Sequence, residues 1–265
     1  ELVMCADQVG PRYATPYLQA ATRLTSAEFV QQALGEARRQ GENLRLRAQT
    51  QGGGSGPAVV LLHGFGDTGD MWALIAAKLN LPQDARQLRV LDIGTGSGVL
   101  AAVLAKRGVQ RIVATDQSDR ALACAQDNLT RLKLQKQVDL QKVDLFPQGR
   151  APLVVCNPPW VPTKPSSPIE YAVYDPDSAM LKGFLAGLAA HLTPGGEGWL
   201  ILSDLAEHLG LRSRGELMGW IAQAGLTVKG RQDIRPRHPK ATDATDPLHQ
   251  ARAAEITSLW VLSAA

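Results

Sequence analysis

Cysteine is scarce in this sequence. Cys5, Cys124 and Cys156 are the only three in 265 residues, and they form no Cys-X-X-Cys pair and no Cys/His cluster. That usage excludes the disulfide framework of a small secreted domain and offers no ligand set for a structural metal ion. Long apolar runs are missing as well. The longest, such as Ala58–Leu62 and Val99–Ala105, fall far short of the roughly 20 residues that span a bilayer. Leu2–Cys5 lacks the basic flank and the length of a signal peptide. Neither sign of charge dominates: 28 Lys and Arg against 25 Asp and Glu leave +3, too little to coat the chain with nucleic acid. These absences point to a cytoplasmic protein with no membrane contact. The chain begins at Glu1 rather than Met, as a piece of a longer protein does.

What is present is a large apolar fraction, 45%, and 25 glycines at positions that punctuate it. Residues 1–24 show no period and read as an irregular arm. Thr25-Ser26-Ala27-Glu28 has the spacing of a capping box, predicting a helix to about Arg39 that Gly41 ends. Leu44, Leu46 and Ala48 alternate with polar residues as in a half-buried strand, and Gly52–Pro57 is a flexible turn. Ala58–Leu62 is a short apolar strand, followed by the His63–Trp72 turn and a helix to about Leu79.

From Gln87 the pattern becomes regular. Strands near 88–93, 111–116, 137–143, 152–156, 197–203, 226–233 and 255–263 alternate with helices near 97–106, 118–132, 177–192 and 205–224. That alternation predicts an α/β fold: a Rossmann-like, seven-stranded, mostly parallel sheet with helices on both faces and the last strand antiparallel. Residues 1–86 then form an N-terminal appendage to a domain over 87–265.

Two motifs carry chemistry. Gly94, Gly96 and Gly98 follow the strand Val90–Ile93 and open the helix at Val99. Absent side chains let a ligand reach the backbone, where a helix start offers unpaired N–H groups. The Gly-X-Gly-X-Gly spacing, with Val99 where a dinucleotide fingerprint has its third glycine, and the acid Asp92 just ahead turn the reading from NAD towards S-adenosylmethionine. Asp116, ending the second strand about twenty residues on, suits the hydroxyls of a ribose, though NAD proteins place an acid there too. Asp144 after the third strand is placed for an adenine amino group, with Leu145 or Phe146 to cover the ring. Taken alone it equally suits an exposed acid beside core residues.

Asn157-Pro158-Pro159-Trp160 follows the apolar strand ending at Cys156. Two prolines forbid helix and stiffen the backbone. The Asn157 side-chain oxygen and a neighbouring backbone carbonyl suit the two hydrogens of a planar NH₂ group, and Trp160 suits stacking on the flat system that bears it. Holding both N–H bonds sets the direction of the nitrogen lone pair, which an in-line methyl transfer requires. No metal enters this chemistry.

Residues 88–265 resemble a class I S-adenosylmethionine-dependent methyltransferase of the small methyltransferase domain type. The Asn-Pro-Pro-aromatic motif is shared among N6-adenine, guanine-N2 and protein-glutamine N5-methyltransferases. The glutamine group is the most similar, through Asp116, Ala121-Leu122, Ala125, Asn128 and the segment Val173–Ala179. The resemblance implies that Gly94, Gly96 and Asp116 bind the cofactor with Asp144 at its adenine, and that Asn157 and Pro158 orient the acceptor nitrogen. It implies a protein glutamine, or an RNA or DNA amino group, as acceptor. Trp160 stands where the glutamine family usually has Tyr. That family's Gly-rich continuation is reduced to Lys182-Gly183-Phe184, and its N-terminal substrate-gripping domain is not recognisable in 1–86.

Residues 42–81 resemble instead the opening of an α/β-hydrolase, whose turn after the third strand is similar to His63-Gly64-Phe65. No Gly-X-Ser-X-Gly nucleophile follows: Ser213 has only its trailing glycine, and Ser97 is displaced between two. A hydrolase remnant, or a module that holds the cofactor without turnover, are the alternatives to an enzyme. Arg231, Arg235, Arg237, His238 and Lys240 form one basic cluster able to meet RNA phosphate, diluted by Asp243 and Asp246.

Overall fold

The computed structural model describes residues 87–164, 174–235 and 248–265. The expected elements of 1–86, including the His63–Trp72 turn, lie outside the described residues, as does most of the basic cluster beyond Arg235.

Within the described residues a seven-stranded sheet forms the frame. It comprises β1 (Arg89–Ile93), β2 (Arg111–Asp116), β3 (Val138–Lys142), β4 (Ala151–Cys156), β5 (Leu192–Ser203), β6 (Leu226–Ile234) and β7 (Thr257–Ala264). Their order is β3-β2-β1-β4-β5-β7-β6. The first five strands run parallel, and β7 is inserted antiparallel between β5 and β6. The fold is therefore the expected Rossmann-like mixed sheet.

Side chains alternate between two cores. Val90, Leu153, Val155, Ile201 and Val261 face one side, where α1 (Val99–Lys106) and α2 (Asp119–Arg131) cover them. Leu91, Ile93, Val154, Leu200 and Leu262 face the other, under α3 (Ala179–His191) and α5 (Arg214–Gln223). Strands buried on both faces read as continuous apolar runs, which is why their places were plain in sequence. The α3 stripe Leu181, Phe184, Leu185 and Leu188 has helical spacing and is almost wholly buried.

The helix expected over 205–224 is corrected. It is two helices, α4 (Leu205–His208) and α5, separated by Gly210 at φ 67°. Ser213 restarts the chain as an N-cap: its hydroxyl accepts from the Glu216 N–H while the Glu216 carboxylate accepts from the Ser213 N–H. A further short helix, α6 (His249–Ala254), precedes β7.

The strand order positions the site. From β1 the chain moves outward to β2 and β3, then crosses back to β4 on the other side of β1. Ligands of open α/β sheets bind at the carboxyl ends of strands where the order reverses. That edge carries the glycine turn after β1, Asp116 ending β2, Asp144 just past β3, and Asn157 just past β4.

Candidate active site

The glycine turn takes left-handed backbone, which glycine adopts without steric cost and other residues adopt only at a cost. Gly94, Gly96 and Gly98 have φ of 68°, 55° and 78°. They differ in what surrounds them. A Cβ on Gly94 would run into the Met180 methyl, and one on Gly98 would lie 3.1 Å from the Ala125 Cβ. One on Gly96 would project into open space. Gly98 is packed against the Ala125 backbone and Gly94 against the movable end of Met180, whereas Gly96 faces open space near the start of α1.

Asp92 lies beneath this turn and is fully buried. Its Oδ2 accepts from the Thr95 hydroxyl at 2.6 Å and from the Ala101 N–H at 3.1 Å. Its Oδ1 is buried with no hydrogen-bond partner among the described residues. Burial raises its pKa to about 7; the bonds from Thr95 and Ala101 oppose the rise, and the nearby Asp116 charge adds to it. A buried oxygen with a lone pair that accepts no hydrogen bond is costly unless a donor arrives.

Asp116 is aimed by backbone. Its Oδ2 accepts from Gly96 N–H at 3.0 Å and its Oδ1 from Ser118 N–H at 2.9 Å. Each oxygen keeps a second lone pair, directed by those bonds. The loop past β3 is tied to the same place, since the Thr115 hydroxyl donates to the Leu145 carbonyl at 2.6 Å. Asp144 is exposed at its mouth. Leu145 packs on Gly183, and Phe146 stacks between Phe184 and His191 with centroids 5.8 and 4.3 Å away.

Asn157 and Trp160 are partly buried and Pro158 is buried. The indole N–H of Trp160 donates to Asn157 Oδ1 at 3.0 Å. Two residues that sequence reasoning gave no role hold this loop. Asp175 is buried: its backbone N–H donates to the Val161 carbonyl, and its carboxylate accepts from the Met180 and Leu181 N–H groups at 2.9 and 3.1 Å. It thereby caps α3 and ties that helix to the chain after Trp160. Arg212 is also buried, its guanidinium donating to the carbonyls of Trp160 at 3.4 Å and Ser203 at 3.3 Å. Burial lowers its pKa, with the Glu207 and Asp175 charges opposing the shift. The Cys156 thiol is pushed well up, by burial first and then by the Asp92 and Asp175 carboxylates. Asn128, noted for its resemblance alone, donates from Nδ2 to the Ser97 carbonyl at 2.9 Å and so anchors the glycine turn to α2.

The family model described as "Methyltransferase small domain" matches residues 73–214, more than half of the chain. The chain belongs to the methyltransferase small domain family. The match includes the glycine turn and the Asn157–Trp160 loop, and it begins ahead of the expected domain boundary at residue 87. Among relatives, a release factor glutamine methyltransferase of Cereibacter sphaeroides is 31% identical over 151 residues, 52% of this chain and 52% of its own. That of Koribacter versatilis is 34% identical over 145 residues, 49% and 50% of the two chains. A ribosomal protein L11 methyltransferase of Exiguobacterium sibiricum is 41% identical over 71 residues, 26% and 22%. This chain thus spans from about a third to about half the length of the release factor relatives. The fold is that of a solved geranyl diphosphate C-methyltransferase of Streptomyces coelicolor, with a TM-score of 0.51 at 13% identity, covering 72% of this chain and 79% of that one.

As a methyltransferase small domain, the protein gathers all its expected site residues on one sheet edge. Asp92, Gly94, Gly96, Gly98, Asp116 and Asp144 line the β1–β3 side, and Asn157, Pro158 and Trp160 the β4 side. Among the described residues no helix is long and apolar enough to cross a membrane.

Proposed function

We propose that the protein binds S-adenosylmethionine across the carboxyl ends of β1, β2 and β3 and methylates the side-chain amide nitrogen of a glutamine in a protein substrate, a release factor being the first candidate. The observation that carries this reading is the pairing of an orphaned buried oxygen, Asp92 Oδ1, with the Asn157–Trp160 loop on the adjacent strand. The residues present fit the cofactor. Asp92 Oδ1 lacks a donor, which an α-ammonium would provide, and the open space at Gly96 admits a ligand against the backbone. The Asp116 oxygens, held by Gly96 and Ser118, suit two ribose hydroxyls. Bound there, S-adenosylmethionine supplies a methyl group on a sulfonium, which leaves without acid assistance.

What the chain must do is hold a poor nucleophile in line. An amide nitrogen shares its lone pair with the carbonyl, so its two N–H bonds must be fixed for that pair to point at the methyl carbon. Asn157 Oδ1 has one lone pair left after accepting from Trp160, and the Pro158 carbonyl supplies a second acceptor on the same rigid loop. The proton shed after transfer leaves to solvent.

A protein acceptor is favoured over RNA because the similar relatives quoted above are named for protein substrates. Labelled S-adenosylmethionine added with the protein to a cell extract tests the class. Label released by protease and resistant to RNase supports the reading; label released by RNase overturns the choice of acceptor.

A further inference from the structure

Resting on that reading, we propose that Trp160 is a positioning residue that fixes which end of the Asn157 amide faces the acceptor, through its indole N–H rather than its ring face. An asparagine amide carries an acceptor oxygen and a donor NH₂ of nearly the same shape, and only hydrogen-bond partners decide which end points where. The indole nitrogen is a donor with no acceptor lone pair. At 3.0 Å from Asn157 it is compatible with Oδ1 alone. The oxygen is thereby held towards Trp160, one lone pair taken and one presented beside it. Were the amide to turn over, its NH₂ would oppose the indole N–H and would also offer hydrogens to an acceptor that itself brings hydrogens. Both ends of that error are donor against donor.

The donor itself does not swing. The Trp160 side chain packs against both cores of the sheet. Its backbone carbonyl accepts from the buried Arg212, which also holds the Ser203 carbonyl at the end of β5. Next along the chain, Val161 is bridged to Tyr174 and bonded to Asp175 N–H. The chain Ser203–Arg212–Trp160–Asn157 therefore transmits the rigidity of β5 to one amide torsion. A ring that only stacked on substrate would need none of this.

The test has two parts on the full chain. The first needs no turnover: the indole ¹⁵N–¹H resonance of Trp160, assigned by its loss in Trp160→Phe, is followed in Asn157→Leu. Loss of the hydrogen bond should move the proton upfield and speed its exchange with water at least tenfold; an unchanged resonance overturns the proposal. The second is kinetic. Trp160→Phe keeps a ring and removes the donor, so kcat should fall by roughly three- to tenfold while cofactor affinity stays within about twofold, the factor being that of one modest hydrogen bond. An aspartate at 157 has two equivalent acceptor oxygens and no wrong way round. In an Asn157→Asp background Trp160→Phe should therefore change kcat by less than about 1.5-fold. An equal loss in both backgrounds assigns Trp160 to packing and sinks the proposal. A wild-type protein that methylates no glutamine-bearing acceptor refutes the reading beneath it, and an unimpaired Trp160→Phe refutes this inference alone.

Discussion

Replacing Asp92 with asparagine should make the ligand-free protein more stable, and increasingly so as pH rises. In the unfolded chain the carboxyl titrates near 3.8; in the folded protein burial raises it to about 7. Between those values the folded state keeps a proton that the unfolded state has released, so stability drains away by up to about 1.4 kcal/mol per pH unit. The group's contribution is therefore complete below pH 3.8 and lost as pH climbs through 7. Asparagine does not titrate, and its oxygen can still accept from Thr95 and Ala101. The advantage of Asp92→Asn over wild type should grow by roughly 2–3 kcal/mol from pH 5 to pH 8 and level off above 7. Urea unfolding of both proteins at pH 5, 6, 7 and 8 reads this directly, and comparing the two cancels the other titrating groups. A difference constant within about 0.5 kcal/mol would refute the buried, unpartnered carboxyl. The same group links to the cofactor: an ammonium at Oδ1 restores the charged form, so binding at pH 6.5 should expel most of a proton. Calorimetry in two buffers of different ionisation enthalpy measures that proton, and Asp92→Asn should abolish it.

The glycine turn separates strain from binding. Gly96→Ala should cost about 1–2 kcal/mol of stability in thermal unfolding, since the position is left-handed, and Gly98→Ala should cost more, since its methyl would also press on Ala125. Only Gly96→Ala, whose new methyl enters open space, should also weaken cofactor binding by more than the stability loss explains. Asn157→Ala should reduce methyl transfer roughly 100-fold, the cost of a misplaced reacting group, while cofactor affinity measured by calorimetry stays unchanged. Ser213→Ala removes the α5 capping box and should cost roughly 0.5–2 kcal/mol in urea unfolding, with cofactor affinity unaffected.

The parts legible in sequence were those set by local chemistry. β1, β2 and β4 declared themselves because they are buried on both faces, and the glycine turn because three alternating glycines all take the left-handed backbone that glycine adopts most readily. The break between α4 and α5 was written in Ser213-Arg214-Gly215-Glu216, a capping box hidden inside an apolar pattern that suggested one long helix. What could not be read were long-range pairings. Arg212 meets the Trp160 carbonyl across 52 residues and was given no role until the sheet order brought it there; Gly96 and Asp116 were both singled out, but the bond between them, across 20 residues, was not. Leu145 or Phe146 was expected over a ligand; that both lie against the bare surfaces of Gly183 and Gly187 on α3 depends on packing that sequence does not show. Asp175 drew notice only through a resembling segment, while its work, capping α3 and holding Val161, depends on chain folded back from elsewhere.

The central claim is that the Asp92 side and the Asn157 side act on one methyl group and one amide nitrogen. The most direct measurement is incubation of the full chain with S-adenosylmethionine bearing a deuterated methyl group and a purified release factor, followed by peptide mass spectrometry. The account predicts one deuterated methyl on a glutamine side-chain nitrogen, present with wild type and nearly lost with Asn157→Ala. Label on another residue type, or equal labelling by wild type and Asn157→Ala, would contradict it.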